Sequence, residues 1–264
     1  MDLGFADATA VIAGGTRGIG FATALSLAEH GARVAIVGRD EDRLTDAATT
    51  LGAAGSPEVL TLTADLGSLS DVDNAFERVG ARWGALNVLV NAVGPAGAGR
   101  FEDLDDAAWT AAFDSGVISA VRCVRAALPL LRAAPWARVV NVTAMSVQHQ
   151  SAGLVGYTAA KSALLSVTKN LARSLAGDAI LVNAVAPGPT LTDWALPVLA
   201  AAGIGIDDPV GAFGLLRRGH GMSVDLGRLG LPHEVAAVIA FCASRANTFM
   251  TGAHLNVDGG SDFL

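Results

Sequence analysis

A glycine-rich loop near the N-terminus constrains the fold of this chain more than any other feature. The apolar run at residues 8–13 has the length of a buried strand, and a helical pattern covers residues 21–30. Between them lies the loop Gly14-Gly15-Thr16-Arg17-Gly18-Ile19-Gly20. In such a strand–loop–helix unit the glycines let the backbone approach a ligand, and the first helical amides face an anion. The alternative is an ordinary glycine turn, but the flanking elements favour a cradle for a diphosphate.

Short apolar runs alternate with amphipathic helical patterns along the whole chain. The runs have the nearly continuous apolar character of parallel strands that are buried on both faces. They lie at residues 8–13, 33–37, 59–63, 87–90, 138–143, 180–185 and 254–257. This alternation predicts an α/β fold with a doubly wound, seven-stranded parallel sheet between two layers of helices. Because no linker, repeat or low-complexity segment interrupts it, we expect a single domain over residues 1–264.

Charge and composition exclude several classes of partner. A net charge of −7 argues against nucleic-acid binding. No apolar stretch approaches the length of a membrane span, and the N-terminus lacks the basic start and apolar segment of a signal peptide. Cys123 and Cys242 lie in apolar helical patterns without metal-ligand spacing, so no metal site is predicted. We therefore expect a cytoplasmic protein that binds small molecules.

The only tyrosine of the chain, Tyr157, precedes Lys161 by four residues. On a helix these two positions share a face, so the phenol and the ammonium group would point into one space. A lysine about 5 Å away would lower the pKa of the phenol from about 10 to about 8, which suits a general acid–base. The alternative is a packed tyrosine beside a solvated lysine.

Together these features resemble the short-chain dehydrogenase/reductase family. The glycine loop is similar to the family's T-G-x-x-x-G-x-G motif, with Ala13 at the threonine position, and Tyr157 and Lys161 match its Y-x-x-x-K pair. Three further segments match in order, at residues 89–94, 183–192 and 251–260. The resemblance covers nearly the whole chain and is strongest to the 3-oxoacyl-reductase-like branch. It implies a Rossmann-type domain that interconverts a ketone and a secondary alcohol by hydride transfer.

The resemblance also implies roles for individual residues. Tyr157 would exchange the proton of the substrate oxygen, and Lys161 would bind the nicotinamide ribose. The segment at about residues 190–226 would fold over an apolar substrate, although it would serve equally as an oligomer contact. Cofactor contacts are expected from Gly14, Thr16, Arg17, Gly18, Ile19, Gly20, Arg39, Asp65, Leu66, Asn91, Tyr157, Lys161, Pro187, Gly188, Thr190 and Thr192.

The residues after the second strand favour NADP(H) over NAD(H). An acidic residue there would accept a hydrogen bond from the ribose 2′-hydroxyl of NAD, but this chain has Gly38. Arg39 follows it and Arg17 lies in the glycine loop, so two guanidinium groups favour the 2′-phosphate of NADP. The alternative is that both arginines are solvated. Asp65 is expected to contact the adenine or, alternatively, to form an Asx-turn before a helix.

The chain departs from the family at two catalytic positions. The asparagine falls on Gly116, which retains the backbone carbonyl and permits a helix kink. The serine falls on Ala144, and the loss of such a donor typically lowers the rate about 10²–10³-fold. If the chain stays extended, Ser146 would aim its side chain the same way and replace the serine. Gln148 and His149 are further candidates, and all three would otherwise be ordinary loop residues.

Two other functions stay open from the sequence alone. The changes at Gly116 and Ala144 suggest dehydration or isomerisation, and a catalytically silent cofactor-binding subunit is the third reading.

The apolar helical stretches at residues 117–131 and 162–175 predict a homo-oligomer, most simply a tetramer, because such helices must be buried. The alternative is that both helices pack only on the sheet.

Overall fold

A computed structural model describes residues 2–95, 99–220 and 223–261, with side chains throughout except at residues 218–220. Its strands form one parallel sheet in the order β3-β2-β1-β4-β5-β6-β7. The strands are β1 (Thr9–Ala13), β2 (Arg33–Gly38), β3 (Val59–Thr63), β4 (Val88–Asn91), β5 (Ala137–Val142), β6 (Ile180–Pro187) and β7 (His254–Val257). This confirms the predicted doubly wound sheet, and every strand lies within about two residues of its predicted bounds.

Nine α-helices connect these strands in the described part of the chain. They are α1 (Gly18–Glu29), α2 (Glu41–Ala53), α3 (Leu69–Trp83), α4 (Asp106–Phe113), α5 (Ser119–Ala133), α6 (Val155–Ser174), α7 (Leu196–Ala201), α8 (Pro209–His220) and α9 (Pro232–Ala243). Side-chain caps explain where three of them begin, because Asp40, Ser68 and Asp105 accept from the first-turn amides of α2, α3 and α4. A π-helical turn, Asp114–Ile118, joins α4 to α5.

Two apolar cores lie on opposite faces of the sheet. Alternation along β1 divides its side chains between them, with Ile12 in one core and Val11 in the other. The first core joins the sheet to α1, α2 and α9, and the second joins it to α3 and α5. Cys242 belongs to the first and Cys123 to the second, and both are buried and free.

The strand order creates a crevice where β1 and β4 pair, because the connections leave these strands in opposite directions. Ala13 lies opposite Asn91 at the carboxyl ends of the two strands. The glycine loop follows β1, and the segments that contain Ala144 and Gly188 follow β5 and β6 at the same edge. The fold thus collects the segments that carry the family resemblance along one edge of the sheet.

The predicted substrate-covering segment, residues 190–226, contains α7 and α8. Residues 221–222 lie outside the described part of the chain. The segment has a small core of its own, formed by Leu191, Ala195, Leu199, Ala212, Phe213, Leu216, Val224 and the adjoining Leu229. Large apolar side chains also stay exposed on it, including Trp194 and Val210. None of the helices in the described residues combines the length and apolar character needed to cross a bilayer.

Candidate active site

The glycine loop is tightly closed between β1 and α1. Gly14 has a φ of 81°, a left-handed conformation that favours glycine, and its N–H donates to the carbonyl of Val37 at 3.0 Å. A Cβ on Gly20 would overlap the carbonyl oxygen of Gly14. Arg17 is the N-cap residue of α1, and in the described residues its side chain accepts no hydrogen bond from the first helical turn. The first-turn N–H groups are therefore available to bind an anion. This cradle fits a diphosphate.

Two strand ends flank the cradle. A Cβ on Gly14 would lie 2.8 Å from Val93, which follows β4, and a Cβ on Gly18 would lie 3.4 Å from Thr192, which follows β6. Ile19 instead packs against the apolar core, so its backbone is the part that is left for a ligand. The structure therefore brings the glycine loop, the end of β4 and Thr192 together.

The segment after β6 is held close to β7. The N–H of Gly188 donates to the carbonyl of Val257 at 3.0 Å, and a Cβ on Gly188 would lie 2.5 Å from the Cα of Asp258. The Thr190 hydroxyl donates to the carbonyl of Gly188 at 3.0 Å. These contacts, together with the end of β6 at Pro187, fix the chain that leads to Thr192.

The side chain of Asn91 is turned into the protein. It is 3% exposed, and its Nδ2 donates to Oδ1 of Asn141 at 2.8 Å. Asn141 in turn donates to the hydroxyl of Thr168 at 2.9 Å, so a buried chain links β4, β5 and α6. The predicted contact between Asn91 and a cofactor is therefore left to its backbone.

Lys161 is buried on α6 beside the cradle. Its Nζ donates to the carbonyl of Val142 at 2.7 Å and to that of Val93 at 3.3 Å. A Cβ on Gly94 would lie 3.0 Å from this Nζ, so a larger residue there would displace the lysine. Burial lowers the pKa of the Lys161 ammonium group to about 8. These two carbonyls are not predictable from the sequence, because a backbone group leaves no mark in the residue types.

Tyr157 lies one turn before Lys161 on α6, as predicted. Burial raises the pKa of the Tyr157 phenol above its ordinary value. The expectation that Lys161 lowers this pKa is therefore wrong for the structure, since loss of solvation outweighs any attraction to the ammonium group. Lys161 is instead directed at the carbonyls of Val142 and Val93. The Tyr157 phenol is consequently neutral at neutral pH.

The chain does not stay extended after Ala144. Ala144 itself is extended, but a 3₁₀ helix, Met145–Val147, begins at the next residue. The expectation that Ser146 and Ala144 aim their side chains the same way is therefore wrong. Ser146 is buried and its Oγ accepts a hydrogen bond from the hydroxyl of Thr158 at 3.1 Å. Because Thr158 follows Tyr157, Ser146 still lies beside the helix that carries the tyrosine.

Gln148 and His149, the other candidate donors, are exposed. Oε1 of Gln148 accepts from the Asn256 side chain at 2.6 Å, which ties this residue to β7. Of the three candidate donors, Ser146 is therefore the one that is buried.

Gly116 lies in the π-helical turn between α4 and α5, so the predicted irregularity of this helix is present. A Cβ at Gly116 would lie 2.8 Å from the Cβ of Ala160 and 3.1 Å from Cδ of Pro95. The family's asparagine thus has no room here unless the neighbours move. Pro95 was not singled out from the sequence, although a proline directly after the 89–94 segment is a usable signal.

At the opposite end of the cradle β2 ends at Gly38, where an acidic side chain would fit only if Thr16 moved. A Cβ on Gly38 would lie 2.8 Å from the methyl group of Thr16. Arg39 is exposed and Leu66 is buried. Oδ1 of Asp65 accepts from the N–H of Gly67 at 2.9 Å, which is the Asx-turn given as the alternative from the sequence.

Comparisons with known proteins agree with this geometry. The family profile described as "Enoyl-(Acyl carrier protein) reductase" matches residues 13–262. Cis-4-hydroxycyclohexanecarboxylate dehydrogenase from Sinomonas cyclohexanicum is 36% identical over 261 residues, which cover 98% of each chain.

Two solved structures are similar over nearly their whole length. L-sorbose reductase from Gluconobacter frateurii, complexed with NADPH and L-sorbose, has a TM-score of 0.91 at 29% identity, with 100% of each chain covered. The Pseudomonas aeruginosa RhlG/NADP active-site complex has a TM-score of 0.87 at 30% identity and covers 99% of this chain and 98% of that one.

Proposed function

The chain belongs to the short-chain dehydrogenase/reductase family, and we propose that it is an NADP(H)-dependent reductase of an apolar ketone. The observation that carries the proposal is the burial of Lys161 beside the cradle, one helical turn after Tyr157. Lys161 donates to Val93, and Val93 packs on the glycine loop at Gly14. One buried lysine is thus in contact with the strand end that borders the diphosphate cradle and shares a helix with the proton donor.

NADP(H) is supported by the chain's own residues and by the neighbours whose titles name NADPH or NADP. The glycine loop would hold the diphosphate, and Lys161, Thr190 and Thr192 would hold the nicotinamide half. Bound NADPH supplies a hydride to a carbonyl carbon. The packing of Thr16 on Gly38 excludes the carboxylate that would repel a 2′-phosphate.

Tyr157 would protonate the substrate oxygen. Its raised pKa keeps the phenol protonated at neutral pH, so the O–H can donate to the oxygen as negative charge develops there. Lys161, whose pKa is about 8, is mostly protonated at neutral pH and would stabilise the phenolate that results.

Ser146 would provide the second hydrogen bond to the substrate oxygen. Its Oγ accepts from Thr158, which leaves its own hydrogen as a donor. Gly116 keeps a backbone carbonyl in the π-helical turn, and no side chain is needed from it.

The test is a titration with NADPH followed by a screen of ketones for loss of nicotinamide absorbance. The name of the Sinomonas relative suggests 4-oxocyclohexanecarboxylate as the first cyclic ketone, followed by 3-oxoacyl thioesters and open-chain ketones. NADPH-dependent formation of an alcohol supports the proposal. Conversion of a hydroxyacyl substrate without NADPH consumption would instead indicate dehydration. Tight NADPH binding without turnover of any ketone would indicate a silent subunit.

The proposal includes the cytoplasmic location and the homotetramer expected from the sequence, and both stay predictions. One face of α5 packs into the core through Cys123 and Leu131, so only its remaining face is free for an interface. Light scattering that shows a monomer at micromolar concentration would reject the tetramer.

A further inference from the structure

One carboxylate from the segment after β6 lies between two arginines next to the glycine loop. Oδ2 of Asp193 is 4.0 Å from Nη1 of Arg17 and 3.6 Å from Nη1 of Arg43. Arg17 is the N-cap residue of α1, and Arg43 lies in the first turn of α2. Three separate segments of the chain therefore bring these charges to one point.

Local contacts hold Arg43 and the segment that carries Asp193 in place. The N–H of Arg43 donates to Oδ1 of Asp40 at 3.1 Å, and its Nε lies 3.3 Å from Oδ2 of the same residue. Asp193 follows Thr192, which packs against the glycine loop at Gly18. All three charged side chains stay accessible, with exposures of 61% for Arg17, 51% for Arg43 and 39% for Asp193.

Arg39, the arginine that the sequence favoured as a partner of the phosphate, is placed differently. It is exposed, and no ion pair of Arg39 is found in the described residues. Arg43 shares its carboxylate partner with Arg17, whereas Arg39 does not. Arg17 and Arg43 are thus the pair of guanidinium groups that already converges on one anionic oxygen.

A phosphate would be a stronger partner than Asp193 for this pair. It carries close to two negative charges and three acceptor oxygens, and guanidinium groups bind such oxygens in pairs. Asp193 offers one oxygen to both arginines at long distances, and exposed ion pairs of this kind are weak. Exchange of the carboxylate for a phosphate is therefore favourable.

We propose that Asp193 holds Arg17 and Arg43 in place of the cofactor's 2′-phosphate and competes with it, so that Asp193 and Arg43 set the affinity for NADP(H). This rests on the proposed function, because it takes the glycine loop as the cofactor site. It assigns phosphate recognition to Arg43 instead of Arg39. It also makes Asp193, a residue of the predicted substrate-covering segment, a determinant of cofactor affinity.

The test uses calorimetric titration of the intact protein with adenosine 2′,5′-bisphosphate and with adenosine 5′-monophosphate, which lacks the 2′-phosphate. Asp193→Asn should tighten binding of the bisphosphate about three- to tenfold, the range expected for one or two exposed ion pairs. Its affinity for the monophosphate should stay unchanged. Arg43→Gln should weaken binding of the bisphosphate about tenfold, and Arg39→Gln should have a much smaller effect on this affinity. Asp207→Asn removes an exposed carboxylate of the same segment and is the control for net charge.

Equal effects of Asp193→Asn and Asp207→Asn would overturn the inference, as would a larger loss from Arg39→Gln than from Arg43→Gln. Either result is compatible with ketone reduction by NADPH and leaves the proposed function in place. If the unmutated protein binds the two nucleotides equally, the NADP(H) preference and the inference fail together.

Discussion

Gly116 and Pro95 are packed so closely that a Cβ on Gly116 would lie 3.1 Å from Cδ of the proline. The same Cβ would lie 2.8 Å from Ala160, which is on the helix that carries Tyr157 and Lys161. The absent asparagine is therefore a consequence of how this chain packs its active-site helices. Its side chain cannot be restored by a single substitution without strain.

Gly116→Ala is expected to lower the free energy of unfolding by about 1–3 kcal/mol, because the added methyl group overpacks a filled site. Gly52→Ala is the matched control, since nothing lies within 4 Å of a Cβ at that position in α2. The control should gain about 0.5–1 kcal/mol from the better helix propensity of alanine. Urea unfolding of both variants measures the difference, and equal stability changes would contradict the packing argument.

Tyr157→Phe is expected to abolish turnover and to leave NADPH affinity nearly unchanged, because only the proton donor is lost. Lys161→Ala should lower both the turnover and the NADPH affinity, since Lys161 is also expected to bind the ribose. Steady-state kinetics and calorimetry separate the two effects. Substantial residual reduction of a ketone by Tyr157→Phe would exclude the phenol as the acid.

Lys161 should make the stability of the protein depend on pH in the alkaline range. Burial lowers its pKa from 10.5 to about 8, so between these values the unfolded chain holds a proton that the folded chain has lost. Stability then rises with pH across that window. Relative to Lys161→Met, the wild-type free energy of unfolding should gain about 3 kcal/mol from pH 8 to 10.5. Parallel curves for the two proteins, measured by urea unfolding, would contradict the shift.

The sheet and the pairing of Tyr157 with Lys161 were predictable because they depend on periodicity and on short-range spacing. Apolar runs of strand length and a four-residue helical interval are visible in the residues themselves. The carbonyls that hold Lys161 come from Val142 at the end of β5 and from Val93 after β4, and nothing local in the sequence indicates them.

The geometry at Ser146 and Arg43 does not follow from the residue pattern alone. The direction of Ser146 was inferred from an extended chain, but the 3₁₀ helix at Met145–Val147 changed it. Arg43 was overlooked because it lies four residues beyond Arg39, and only the first turn of α2 brings it to Asp193. The contact of Arg43 with Asp193 depends on how segments distant in sequence pack, which a pattern of residue types does not specify.

Ser146→Ala is expected to lower kcat about 10²-fold if Ser146 polarises the substrate oxygen. Thr158→Val is the matched variant, because it removes the hydroxyl that donates to Ser146 and keeps the hydrogen of Ser146 itself. Both should lose a similar stability of about 1 kcal/mol, since each breaks the same buried hydrogen bond. Thr158→Val should lower kcat less than about tenfold. Equal kcat losses would mean that the pair acts only through structure.

The choice of cofactor should be reversible at Gly38, but only if Thr16 is changed with it. An aspartate at residue 38 would accept from the ribose 2′-hydroxyl of NADH and repel the 2′-phosphate of NADPH. Gly38→Asp alone should fold poorly, because its Cβ would lie 2.8 Å from the methyl group of Thr16. Thr16→Ser removes that methyl group and keeps the hydroxyl. The double variant should therefore bind NADH more tightly than NADPH in calorimetric titrations, whereas Thr16→Ser alone should keep the wild-type preference. A double variant that is well folded and still prefers NADPH would show that the arginines, and not residue 38, decide the cofactor.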